Sequence, residues 1–171
     1  MSPTMTLMLW TLAVVAAATG MRVFHLGSAI GSSTAWVDTQ QAFDTARARH
    51  LRWTLLMMLT GRRCAILLRA LDVRGAHVAR HLGQCEVPLR EIVGTAGGRH
   101  LFDARFDPTG PGAWRRFSSV FEARTSGADV PPVVLYRAAD GYYVVDGHHR
   151  VAVARAMGDP GIWADVTVIA S

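Results

Sequence analysis

Between Pro131 and Met157 the apolar positions change period twice. Val133 to Tyr136 is a β-branched and aromatic run behind a Pro-Pro breaker, Ala139-Asp140-Gly141 is a turn, and Tyr142 to Val145 is a second apolar run. Together they predict a β-hairpin. From His148 the sequence becomes Ala-rich with Val151, Ala154 and Met157 at helical spacing, and Gly158 with Pro160 closes it. A strand, a glycine turn and a helix N-terminus therefore meet at Gly147.

The rest of the chain reads as follows. Met1 to Gly20 is uncharged and Met5 to Ala18 nearly all apolar, a run short for a signal peptide or a spanning helix. It is read as an extension without function; an N-terminal anchor, with the remainder in the cytoplasm, stays open, as does a true start at Met21. His25 to Trp36 reads as a linker. Asp38 or Thr39 caps a helix running to about Thr60 and closed by Gly61. Its first half carries Arg47, Arg49 and Arg52, and Leu55 to Leu59 is continuously apolar. That shape suits docking on its own domain first, and a membrane surface or another chain second. A further helix is expected from about Asp72 to Leu82, ended by Gly83. Glu86 to Val93 alternates as a half-buried strand does, and Gly94 to Gly98 is a glycine-rich turn. Trp114 to Arg124 is an amphipathic helix with Phe117, Val120 and Phe121 on one face and Arg115, Arg116 and Glu122 away from it. Ile162 to Ile169 closes the chain as a strand. The expected organisation is an apolar extension and linker over 1–37, a basic helical leader over 38–85, and a domain over 86–171.

Composition narrows the class. Half of the residues are hydrophobic and 18% are charged, which excludes a disordered chain. All 18 Lys and Arg residues are Arg, a usage that also follows from coding bias, so each Arg is not read as chosen for phosphate. The charge is uneven: Met21 to Cys85 carries +6 and Glu86 to Ser171 carries −1. Attraction to nucleic acid, acidic lipid or an acidic partner therefore belongs to the middle segment. Cys64 and Cys85 have no metal-ligand spacing and read as reduced thiols of a cytoplasmic protein.

The Gly147 junction is where chemistry is expected. The first N–H groups of a helix lack intrahelical partners and the macrodipole adds positive charge, so the turn can hold an anion. Gly147 permits the sharp turn and close approach of a ligand, and Arg150, one turn in, adds a guanidinium suited to phosphate or carboxylate. A purely structural reading has equal standing: Gly147 a turn residue, Asp146 a helix cap, and Arg150 paired with a nearby acid.

The stretch PPVVLYRAADGYYVVDGHHRVAVARAMG resembles the central signature of the ParB/sulfiredoxin-like superfamily, and the resemblance covers Glu86 to Ala170. VPLREIVGTAGGRHLFDARFDP is similar to the opening of its small actinobacterial-type members that carry a DGHHR motif, and Gln41 to Leu82 is similar to their leader. The resemblance implies an α+β domain with a small mixed sheet and flanking helices, preceded by an α-helical leader. It also implies a nucleotide-phosphate turn at Gly147, His148, His149 and Arg150, assisted by Arg99 from the loop after the first strand. His148 stands where ParB has Glu and where sulfiredoxin has its catalytic Cys, so neither ParB-type hydrolysis nor sulfiredoxin activity is carried over. The chain has no helix-turn-helix segment after the signature, and sequence-specific DNA binding is not expected.

The leading expectation is a domain that binds a nucleotide or another phosphate-containing ligand at the DGHHR turn, with weak NTP hydrolysis left open. In that reading Arg99 and Arg150 neutralise phosphate, Asp146 holds magnesium through water, and His148 or His149 orients water or acts as a base. One alternative is a metal-dependent nuclease or phosphodiesterase with Asp146, His148 and His149 as ligands and a third element such as Asp103 or His100 completing the set. The other is a non-catalytic DNA- or protein-associated module acting through the basic helix. The oligomeric state is not readable.

Overall fold

A computed structural model describes residues 33–62, 68–72, 76–97 and 101–170, with side chains from 36 onward. The chain divides into Met1–Ile30 and Gly31–Ser171, and every described residue belongs to the second unit. Cys64, Arg99 and His100 lie outside the described residues.

Helix α1 (Ser33–Leu59) buries Thr39, Phe43, Ala46 and Met57, which recur at helical spacing on one face. It ends where Gly61, at φ 72°, lets the Gly61 and Arg62 N–H groups turn back onto the carbonyls of Met58 and Met57. Next come β1 (Arg69–Ala70) and β2 (His77–Pro88), a 3-10 turn at Leu89–Glu91, and β3 (Ile92–Thr95). After a loop and a 3-10 turn at Pro111–Ala113, α2 (Trp114–Thr125) buries Phe117 and Phe121. The hairpin of β4 (Val133–Ala138) and β5 (Gly141–Asp146) leads into α3 (His148–Met157), and β6 (Gly161–Ala170) follows. These are the hairpin, site helix and closing strand that the sequence pattern places.

The six strands form one mixed sheet in the order β1-β3-β5-β4-β6-β2, so the fold class is α+β, as expected. Helix α3 lies between this sheet and the other two helices. Val151 and Ala154 join a core with Val133, Leu135, Val144 and Val166 of the sheet. Ala152 and Val153 join a second core with Phe43 of α1 and Phe117 and Phe121 of α2. Its run of small and β-branched residues is explained by burial on both sides.

Two expectations are corrected. The helix expected over Asp72 to Leu82 is instead a strand from His77 onward: β2 pairs antiparallel with β6 from His77 opposite Ala170 to Pro88 opposite Gly161. Its hydrogen-bonding partner lies some eighty residues away, and tertiary pairing overrides the local pattern. Gly83, at φ 77°, adjoins a register shift between His81 and Gly83 rather than ending a helix. The strand expected over Glu86 to Val93 is broken at Leu89–Glu91, where the Leu89 N–H donates to the Pro160 carbonyl, and β3 then runs through Gly94 to Thr95. Residues 85 and 86, where leader and domain are expected to meet, both lie inside β2.

Candidate functional site

Strand β5 delivers the chain to Gly147, whose φ of 99° and ψ of 24° lie in the left-handed region. Glycine alone enters that region without the Cβ penalty, and an added Cβ would stand 2.7 Å from Val133 Cγ1. The first intrahelical bond of α3 runs from the Val151 N–H to the Gly147 carbonyl, so the N–H groups of His149 and Arg150 precede it. They lie at the positive end of the helix dipole.

A cavity of about 890 Å³ opens at this junction. One wall is Asp146–Arg150, the facing wall is Arg115, Arg116 and Ser119 of α2, and Gly97 and Phe102 contribute from the loops. The Arg115 and Arg116 guanidinium groups are exposed and have no hydrogen bond or ion pair with any described residue.

Arg150 is differently engaged. Its Nη1 donates to the carbonyls of Pro131 (2.7 Å) and Pro132 (2.6 Å), and its Nη2 donates to Asp146 Oδ2 at 2.6 Å. The side chain thus ties the entry of the hairpin to its exit. Asp146 makes no side-chain cap to α3; its carboxylate is 74% exposed at the cavity rim.

The two histidines diverge, as neighbours about 100° apart on a helix must. His148 Nε2 lies 2.7 Å from the hydroxyl of Thr95, a fully buried residue at the end of β3. That hydroxyl also lies 2.6 Å from the Gly97 carbonyl and 3.2 Å from the Val144 carbonyl, groups that only accept. The Thr95 proton therefore goes to a carbonyl, and His148 Nε2 is assigned as donor to the remaining lone pair. His149 packs edge-on against Phe102 with centroids 4.9 Å apart. Its Nε2 is out of solvent and has no hydrogen-bond partner among the described residues. Burial first, then the Arg116 and His148 charges, push the His149 imidazole down to about 4, so it is neutral at pH 7.

That shift has a signed consequence. The folded state holds the His149 proton less tightly than the unfolded chain, whose value is about 6.5. The stability this group contributes is complete above about pH 6.5 and is lost as pH falls through about 4. Urea unfolding across that range is expected to show a decline that is shallower in His149→Gln; equal slopes would place the proton uptake elsewhere.

A buried polar cluster ties the loop before α2 to α1. Asp103 accepts from the backbone N–H groups of Arg105 and Asp107 and lies 2.8 Å from His50 Nδ1 of α1. Asp107 accepts from Arg49 of the same helix at 2.7 Å. Burial raises the Asp107 carboxyl, with Arg49 pulling the other way. Phe106, the one non-glycine with positive φ (61°) among the described residues, is buried and packs 4.9 Å from the Arg155 guanidinium. Asp103, named from the sequence as a candidate third metal ligand, is thus turned to α1 rather than to the cavity.

The structure brings Asp146, Gly147, His148, His149 and Arg150 together; Arg99 falls outside the described residues. Arg115, Arg116, Ser119 and Thr95 were not foreseen at the site. The Arg-Arg pair was visible on the polar face of an amphipathic helix, but nothing in the sequence says which solvent that face adjoins.

No protein-family model matches the chain, and no curated protein does. Among solved structures it is similar to sulfiredoxin from Arabidopsis thaliana, at 23% identity and a TM-score of 0.33, over 48% of this chain and 82% of that one.

Proposed function

We propose that the cavity between α2 and the start of α3 binds a phosphate-bearing small molecule, a nucleotide being the leading candidate. The observation that carries this is the Arg115–Arg116 pair: two exposed cations with no acid partner among the described residues, facing a helix N-terminus across an 890 Å³ cavity. A ligand anion between them meets guanidinium donors on one side and backbone N–H groups on the other. The cavity is of the size that small-molecule sites occupy. Neutral His149 lines the cavity without adding to its cationic charge, its Nε2 being covered. Arg150 acts mainly by holding Asp146 and the hairpin in place, and Asp146 is the carboxylate available to a magnesium ion that arrives with a nucleotide.

The metal-dependent nuclease reading has less support. Among the described residues no three His, Cys, Asp or Glu side chains are grouped to hold a metal. His148 Nε2 is bonded to Thr95, and His149 Nε2 is covered.

A thermal-shift screen of the full chain against nucleoside triphosphates, pyrophosphate and phosphoserine, with and without magnesium, tests the proposal. A ligand at about 100 times its Kd stabilises by about 2.7 kcal/mol. The double substitution Arg115→Ala with Arg116→Ala is expected to leave the unliganded unfolding temperature within a few degrees, because both side chains are exposed, and to remove the ligand shift. Each charge-assisted bond is worth about 1.5–3 kcal/mol, or roughly 10- to 150-fold in affinity. A shift that survives both substitutions, or a blank across the whole panel, would overturn it.

A further inference from the structure

We infer that the outer face of α1 is a docking surface for an anionic lipid bilayer. The inner face of this helix, carrying Phe43, Ala46 and Met57, is buried against the rest of the fold, yet from Leu51 onward the opposite face is not polar, in contrast to Gln41 and Asp44 earlier on it. Leu51, Leu55, Met58 and Leu59 are 62%, 61%, 51% and 78% exposed. With about 100° per residue, these four fall within an arc of about 100°, and Arg47 and Arg52 stand at its two edges. A contiguous apolar patch with a charged rim is the mark of an interaction surface, whereas isolated exposed leucines are ordinary.

Charge selects the occupant. From Thr45 to Arg62 the chain contains no Asp or Glu. Arg49 and His50 are turned inward onto Asp107 and Asp103, while Arg52 and Arg62 are exposed. A second copy of this face would bring like-charged guanidinium groups together around the leucines, a costly pairing. A bilayer with acidic headgroups accepts the leucines below the headgroup plane and the arginines within it. Electrostatic attraction near such a surface adds for each Arg that reaches it. No described helix is long and apolar enough to cross a membrane, so the contact is one of lying on the surface.

Sedimentation of the full chain with vesicles tests this. The chain is expected to sediment with phosphatidylglycerol-containing vesicles at least about tenfold more strongly than with phosphatidylcholine alone, and less so as salt rises. In Leu55→Gln with Leu59→Gln, binding is expected to fall by about tenfold or more, given the apolar area withdrawn. Both positions are exposed, so unfolding temperature and circular dichroism are expected to stay as in the parent. Undiminished binding by that folded variant would assign the contact to the apolar run at Met5 to Ala18 and overturn the inference. Equal binding to both vesicle types, or no vesicle binding together with dimers that the variant abolishes, would overturn it as well.

Discussion

Gly147→Ala is expected to lower the stability of the chain by about 2–5 kcal/mol and to remove ligand binding with it. Two costs combine. At φ 99° an L-residue pays the left-handed penalty, about 1–2 kcal/mol. The new methyl must also displace Val133 Cγ1 at 2.7 Å and Arg150 Nε at 3.0 Å, and overpacking costs about 1–3 kcal/mol. Val133 is fully buried in the central sheet, and Arg150 is fixed by three bonds, so neither neighbour yields freely. Urea unfolding followed by circular dichroism gives the first quantity and thermal shift with the bound ligand the second. A loss below about 0.5 kcal/mol, the range of an inert surface change, would mean that the turn relaxes into another conformation and that its shape is not imposed.

The second large effect is expected at the other end of the chain. Phe43→Ala is expected to destabilise by about 3–5 kcal/mol, the cost of removing a buried aromatic ring. Phe43 is 2% exposed, and its ring meets Trp114 at 5.0 Å and Phe117 at 5.2 Å between centroids. Arg49 and His50 add polar ties from the same helix to Asp107 and Asp103 of the loop before α2. Chemical denaturation measures the effect, and an unchanged midpoint would mean that α1 rests on the domain without supporting it. For the same reason, a chain cut at Cys85 is a poor test of whether the leader is separable. The cut removes Phe43 and leaves only Glu86–Pro88 of a twelve-residue strand.

Arg150 is an indirect probe of the site, because its side chain also ties the hairpin together. Arg150→Ala leaves the Pro131 and Pro132 carbonyls without their donor and frees Asp146, so lost ligand binding in that variant would not distinguish a phosphate contact from a loosened turn. Arg115 and Arg116, whose side chains bond to no other described residue, give the cleaner answer.

Sequence alone determined the parts of this protein whose causes are local. The β4–β5 hairpin, the turn at Gly147, the helix behind it and its stop at Gly158 follow from apolar period and glycine placement within one stretch of about 27 residues. The amphipathic α2 follows likewise from spacing, and the first helix is legible to its stop at Gly61, although it begins at Ser33, ahead of the cap expected at Asp38 or Thr39. Tertiary structure decided what depends on distant partners. β2 is a strand from His77 because β6 supplies its hydrogen bonds, although its residues up to Leu82 read as a helix ended by Gly83. The first helix carries a basic signature, but Asp103 and Asp107 draw two of its groups inward and leave a leucine face outside. Arg115 and Arg116 become cavity residues only because α2 lies across the start of α3, a packing fixed by Phe43, Phe117 and Val153. Spacing reports which residues share a face; only long-range packing determines what that face meets.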